Sequence, residues 1–102
     1  MKFKTAASAV LLATFLAPVV ASAAPGDSIS VQACARPGVE AKCLVISGPE
    51  GAVYNITGAN PRPPLDVKIQ LRGRLTDKVS FCNQGVVVEN ITWTATQEKC
   101  GN

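Results

Sequence analysis

The sequence predicts an all-β domain of five or six short strands, arranged as a closed or nearly closed antiparallel barrel or as a small sandwich. Three observations carry that expectation. Apolar and polar residues alternate with a period of two in several segments, most clearly over Val67–Leu75, the pattern of a strand with one wet face. Glycine and proline, present in 8 and 7 copies, punctuate the chain about every ten residues, the spacing of a small all-β domain. No long stretch repeats apolar residues at helical spacing, so an amphipathic helix has nowhere to form.

The first segment reads as an export signal. Lys2 and Lys4 precede an apolar run from Ala6 to Ala17, and Ala21-Ser22-Ala23 supplies the small residues of a cleavage site. Pro25 disfavours a cut after Ala24, so cleavage is placed after Ala23 and residues 1–23 are expected to leave as a signal peptide. The apolar run is shorter than the roughly 20 residues of a membrane span, and no membrane insertion is expected once it is removed. What remains is a short lead-in over residues 24–28 and a single β domain over residues 29–102.

Each strand of that domain has its own signal. Ile29, Val31 and Ala33 alternate with Ser28, Ser30 and Gln32, and Arg36-Pro37-Gly38 ends the run. Cys43–Ile46 is a short apolar strand stopped by Ser47-Gly48-Pro49-Glu50-Gly51, and Ala52–Thr57 reads as the return strand of a hairpin. The segment Gly58–Asp66, with three prolines, reads as a rigid connecting loop. Val67, Ile69, Leu71, Gly73 and Leu75 then face inward against Lys68, Gln70, Arg72 and Arg74, with Gly73 marking a bend or bulge. After a turn at Thr76-Asp77-Lys78, Val79–Cys82 reads as a brief strand and Asn83-Gln84-Gly85 as a second turn. Ile91, Trp93 and Ala95 alternate with Asn90, Thr92, Thr94 and Thr96 in a terminal strand. Glu89 would otherwise share the face of Ile91 and Trp93, so a bulge is expected near Val88–Asn90.

Removing residues 1–23 takes away Lys2 and Lys4 and leaves 79 residues with eight basic and seven acidic side chains. With so little net charge, no long-range attraction of nucleic acid or anionic membrane is expected. A chain of this size makes a small core, which covalent staples help. Cys34, Cys43, Cys82 and Cys100 are even in number in a chain read as exported, which predicts two disulfides with three connectivities open. The chain has no histidine and no close cysteine pair, so neither a metal site nor a cofactor is expected.

Four quoted segments together carry a resemblance: Glu40 to Cys43-Leu44-Val45-Ile46, Gly51-Ala52-Val53-Tyr54-Asn55-Ile56-Thr57-Gly58, Val67-Lys68-Ile69-Gln70-Leu71-Arg72-Gly73, and Phe81-Cys82-Asn83-Gln84-Gly85. Over roughly residues 29–95 the chain resembles a family of small exported bacterial domains of unknown function with an OB-like barrel. The resemblance implies an OB-like antiparallel barrel of five to six strands, stabilised by disulfides. It implies that Cys43 pairs with Cys82, leaving Cys34 to pair with Cys100 across the first and last strands. Local pairing, Cys34 with Cys43 and Cys82 with Cys100, is the alternative. No catalytic residues come with the family.

Candidate sites are correspondingly few. A nucleophilic cysteine needs a lowered pKa and usually a histidine base, so Cys82 is read as one end of a staple, with Asn83 and Gln84 as turn residues. Glu89 is the one acid in a strongly apolar segment, and it is read as a bulge or rim residue. Lys68, Arg72 and Arg74 share a face of one strand and, with Tyr54 and Arg62 of the proline-rich region, form the expected ligand surface. Tyr54, Phe81 and Trp93 are expected to serve mainly the core. Asn55-Ile56-Thr57 and Asn90-Ile91-Thr92 match the glycosylation sequon, and in a bacterium both are ordinary strand residues. The expected function is that of an exported, non-enzymatic binding or accessory module, periplasmic or extracellular, with an unknown protein or small ligand as partner. The alternatives are an inhibitor that presents the proline-rich loop, or a redox or hydrolytic enzyme using Cys82 or Glu89.

Overall fold

The computed structural model describes residues 23–101, so the expected export segment, apart from Ala23, lies outside the described residues. Six strands follow in chain order: β1 (Ser28–Ala33), β2 (Ala35–Pro37), β3 (Leu44–Ser47), β4 (Val53–Asn55), β5 (Val67–Leu75) and β6 (Val86–Lys99). A 3-10 turn at Pro49–Gly51 closes the β3–β4 hairpin where the glycine and proline cluster predicts a turn. The all-β expectation therefore holds, and no α-helix occurs among the described residues. The lead-in is not slack: the Gly26 amide donates to the Leu75 carbonyl at 2.8 Å and the Leu75 amide to the Asp27 carbonyl at 2.9 Å.

The strands form one mixed sheet in the order β1-β5-β6-β4-β3-β2. Two features correct the expected antiparallel barrel. First, β4 and β6 run parallel, with Tyr54 opposite Val86 and Asn55 opposite Val87. The chain between them contains β5, which supplies the long crossover that a parallel pair requires. Second, the sheet is not closed, because β1 and β2 are its two edges and share no ladder. They are successive pieces of one run of chain that bends at Cys34, one pairing with β5 and the other with β3. Covalent continuity, not hydrogen bonding, brings the edges together.

The period-two pattern places the core. Val31 of β1, Ile69, Leu71 and Leu75 of β5, and Val88 of β6 are buried with Leu44, Ile46, Tyr54 and Ile56. Full burial of such a side chain is worth about 1.5–3 kcal/mol. Cys34, between β1 and β2, bonds to Cys100, 66 residues later and just beyond β6. Cys43, just before β3, bonds to Cys82, 39 residues later in the β5–β6 connection. Local pairing does not occur. β5 lies between β1 and β6, so the first bond spans the end of a three-strand unit rather than joining neighbours.

The expected irregularity in the last strand falls where β6 meets Gly73. Arg72 lies opposite Thr92 and Arg74 opposite Glu89, so Asn90 and Ile91 together face the single residue Gly73, a β-bulge. Asn90 takes φ 54°, a left-handed conformation that asparagine tolerates better than most residues. A Cβ on Gly73 would collide with the Val88 side chain, so the absent side chain lets the bulged strand close over β5. Asn90→Gly is expected to leave stability within about 0.5 kcal/mol, whereas Asn90→Val should cost about 1–2 kcal/mol in urea unfolding.

Val79–Cys82 is not a strand, contrary to the expectation from its composition. Its backbone is satisfied locally, because Thr76 Oγ1 accepts from the Lys78 amide and Ser80 Oγ from the Cys82 amide. Side-chain hydroxyls of this kind compete with ladder formation. With Cys82 turned inward to its disulfide, Val79 and Phe81 are left 91% and 75% exposed, so Phe81 is not a core residue.

Candidate functional site

The outward face of β5 carries the site. Alternation sends Lys68, Gln70, Arg72 and Arg74 to the side opposite Ile69 and Leu71, and the neighbouring strands place polar residues beside them. Ser28 and Ser30 of β1 lie opposite Arg74 and Arg72, while Thr94 and Thr92 of β6 lie opposite Gln70 and Arg72. Gln70 Nε2 donates to Ser30 Oγ at 2.8 Å, which fixes that hydroxyl toward β5.

The members of the expected ligand surface separate once the geometry is known. Lys68 is occupied, its Nζ 2.8 Å from Glu98. Arg72 and Arg74 are exposed and enter no ion pair among the described residues. Glu89, opposite Arg74, gives its carboxylate to Lys78 Nζ at 2.9 Å. Tyr54 is only 4% exposed and leaves the surface altogether. Its ring fills the space where a Cβ on Gly48 would lie, so the hairpin glycine and the tyrosine pack as a unit. Arg62 donates to the Lys42 carbonyl at 3.2 Å, fastening the proline-rich loop to the chain before β3 instead of joining the stripe. Cys82 has no free thiol, because it is bonded to Cys43.

Two open hollows adjoin along this face, and a third lies on the other side of the sheet. The first, about 500 Å³, is bounded by Ser28, Ser30, Arg72, Arg74 and Asn90. The second, about 280 Å³, shares Arg72 and adds Gln70, Thr92, Trp93 and Thr94. The third, about 320 Å³, shares Thr92 and Trp93 and reaches Asn60 and Pro61. Arg72 joins the first two on the outer face, whereas Trp93, opposite Leu71 and packed against the core, puts the third on the core side of β6. Trp93 is held in place there, its indole nitrogen donating to the Pro61 carbonyl at 2.8 Å. Asn90, Ser28 and Ser30 were not expected in the site. The sequence signals for them were the bulge that places Asn90 and the alternation of β1 that turns Ser28 and Ser30 to its polar face.

A second polar cluster is structural. Asn55 Oδ1 accepts from the Thr57 hydroxyl at 2.6 Å and the Thr57 amide at 3.1 Å. Thr57 Oγ1 also accepts from the Leu44 amide at 3.0 Å and lies 3.5 Å from Cys82 Sγ. Asn55 is 2% exposed, so its sequon is closed to modification in the folded chain, whereas Asn90 is exposed at its bulge.

Compared with known protein families, curated proteins and solved structures, the chain finds no match.

Proposed function

We propose that this chain is an exported, non-catalytic binding module, periplasmic or extracellular, that takes an anionic ligand on the outer face of β5. The pair Arg72 and Arg74 carries the reading. They are neighbours on one face of a strand, about 7 Å apart by strand geometry, and neither enters an ion pair among the described residues. Two like charges side by side repel, the carboxylate opposite Arg74, that of Glu89, is engaged by Lys78, and an anion that accepts from both arginines relieves that cost. The guanidinium fork matches carboxylate, sulfate and phosphate geometry.

Export is supported by the order of charge, apolar run and small residues at residues 2–23, and by two disulfides that suit an oxidising compartment. A non-catalytic role is supported by the use of all four cysteines in disulfides and by the pairing of Glu89 with Lys78. The inhibitor alternative draws less support, because Pro61 and Arg62 are tied back to the body of the domain.

Titrating inorganic sulfate and citrate into the isotope-labelled mature chain tests this reading by nuclear magnetic resonance. Amide shifts should concentrate at Ser28, Ser30, Arg72, Gly73, Arg74 and Asn90 and vanish in the Arg72→Gln, Arg74→Gln double variant. Shifts spread evenly over the surface, or unchanged in the variant, would sink the assignment.

A further inference from the structure

The two edges of the sheet are not alike. β2 is guarded in the way natural edge strands are, being three residues long with Arg36 and Pro37 among them. β1 runs for six residues, Ser28-Ile29-Ser30-Val31-Gln32-Ala33, with no charge, no proline and no shift in its register on β5. The ladder fixes which of its backbone groups are free. The Leu75 amide donates to the Asp27 carbonyl, so Ile29, Val31 and Ala33 are the residues that exchange bonds with β5, and the amides and carbonyls of Ser28, Ser30 and Gln32 turn to the open side. All three residues are exposed, and among the described residues β5 is the only strand paired with β1. We propose that this edge pairs with the β1 edge of a second copy of the chain, antiparallel about a two-fold axis at Ser30.

Self-complementarity selects a second copy over a foreign strand. With Ser30 opposite its own counterpart, Ser28 of each copy lies opposite Gln32 of the other, and all three pairs are of the kind that exchanges two backbone bonds. Only uncharged side chains meet on the outer face, so no like charges oppose one another. On the inner face Ile29, half-buried at the margin of the core, lies opposite the second copy's Val31 and gains apolar cover. Because β2 is guarded, the pairing consumes the unguarded edge and closes at two copies instead of growing into a fibre. Arg72 and Arg74 of both copies then share one outer face, their β5 strands three strand spacings, about 14 Å, apart.

Sedimentation velocity over a dilution series and amide hydrogen exchange read by nuclear magnetic resonance test the pairing on the mature chain. A reversible dimer is expected, with protection from exchange rising with concentration at Ser28, Ser30 and Gln32, amides that a lone copy leaves open to water. The double variant Ser28→Glu, Gln32→Glu sets carboxylate against carboxylate at two symmetric places and should weaken association about ten-fold or more. Ser28→Glu, Gln32→Lys sets carboxylate against ammonium in the same register and should restore it to within about three-fold of the parent. That recovery separates a lost interface from a damaged fold, since the two variants share the first substitution. A chain that stays monomeric to about 1 mM overturns the proposal and leaves the edge to a strand of another protein. A dimer that both variants leave unchanged or weaken alike, or one that protects other amides and not these three, overturns it as well.

Discussion

Replacing Cys43 and Cys82 together by alanine is expected to destabilise the domain by about 4 kcal/mol or more, most of what holds a chain of this size together. Loop closure alone does not rank the two bonds this way. The Cys34–Cys100 bond closes the longer loop, 66 residues against 39, and in the chain-entropy model both are worth roughly 4 kcal/mol with the longer slightly ahead. Burial reverses the order. Cys43 and Cys82 are 1% and 3% exposed, so truncating them opens space next to Leu44 and Thr57 and adds a cavity cost. The same bond also anchors the β5–β6 connection, which has no strand ladder of its own and relies on local hydroxyl contacts. Urea unfolding of the two double variants should therefore show a lower midpoint for Cys43→Ala, Cys82→Ala than for Cys34→Ala, Cys100→Ala. The opposite order would mean that chain entropy outweighs packing here.

Gly85→Ala should cost about 2–4 kcal/mol, far more than alanine at the other left-handed glycines. Gly85 has φ +70°, and a Cβ there would stand 2.5 Å from the Val53 carbonyl oxygen and 2.9 Å from the Val53 side chain. The conformational penalty is about 1 kcal/mol, and the clash adds a further 1–3 kcal/mol because backbone cannot move aside cheaply. Gly85 precedes Val86, where β6 first pairs with β4, so any shift disturbs the parallel ladder between the two halves of the sheet. Gly26 and Gly51, at φ +93° and +80°, have nothing within 4 Å of a Cβ, and alanine at either should cost only the conformational part. Thermal melts of the three variants separate the two contributions, and equal losses at all three sites would show that the contact with Val53 is relieved at no cost.

The elements legible in the sequence were those whose faces differ. β5 alternates over nine residues with one face buried and one wet, so both its existence and its orientation could be read. β6 runs from Val86 to Lys99, beyond the expected Asn90–Thr96 at both ends, because Val86-Val87-Val88 is apolar on both faces and Gln97-Glu98-Lys99 polar on both, so neither end alternates. β4 is three residues long, too short for a period to declare its partner, and its parallel pairing with β6 depends on contacts remote in sequence. Val79–Cys82 misled because apolar composition was read without the hydroxyls of Thr76 and Ser80 that satisfy its backbone. In the site, the arginine stripe followed from alternation, whereas Tyr54 looked available only because the packing of its ring over Gly48 is a tertiary fact.

The bond from Cys34 to Cys100 also sets how the domain answers a pull on its ends. Tension applied between the lead-in before β1 and the segment after Cys100 passes through the sulfur bridge and bypasses the 66-residue span it closes. β1 is then the one strand in the loaded path, paired with β5 alone. Stretching peels Ser28–Ala33 away and spares the other five strands, and with β1 go Ser28 and Ser30, one wall of the groove beside Arg72 and Arg74. A domain tethered at both ends would in this way lose one wall of that hollow long before it unravelled.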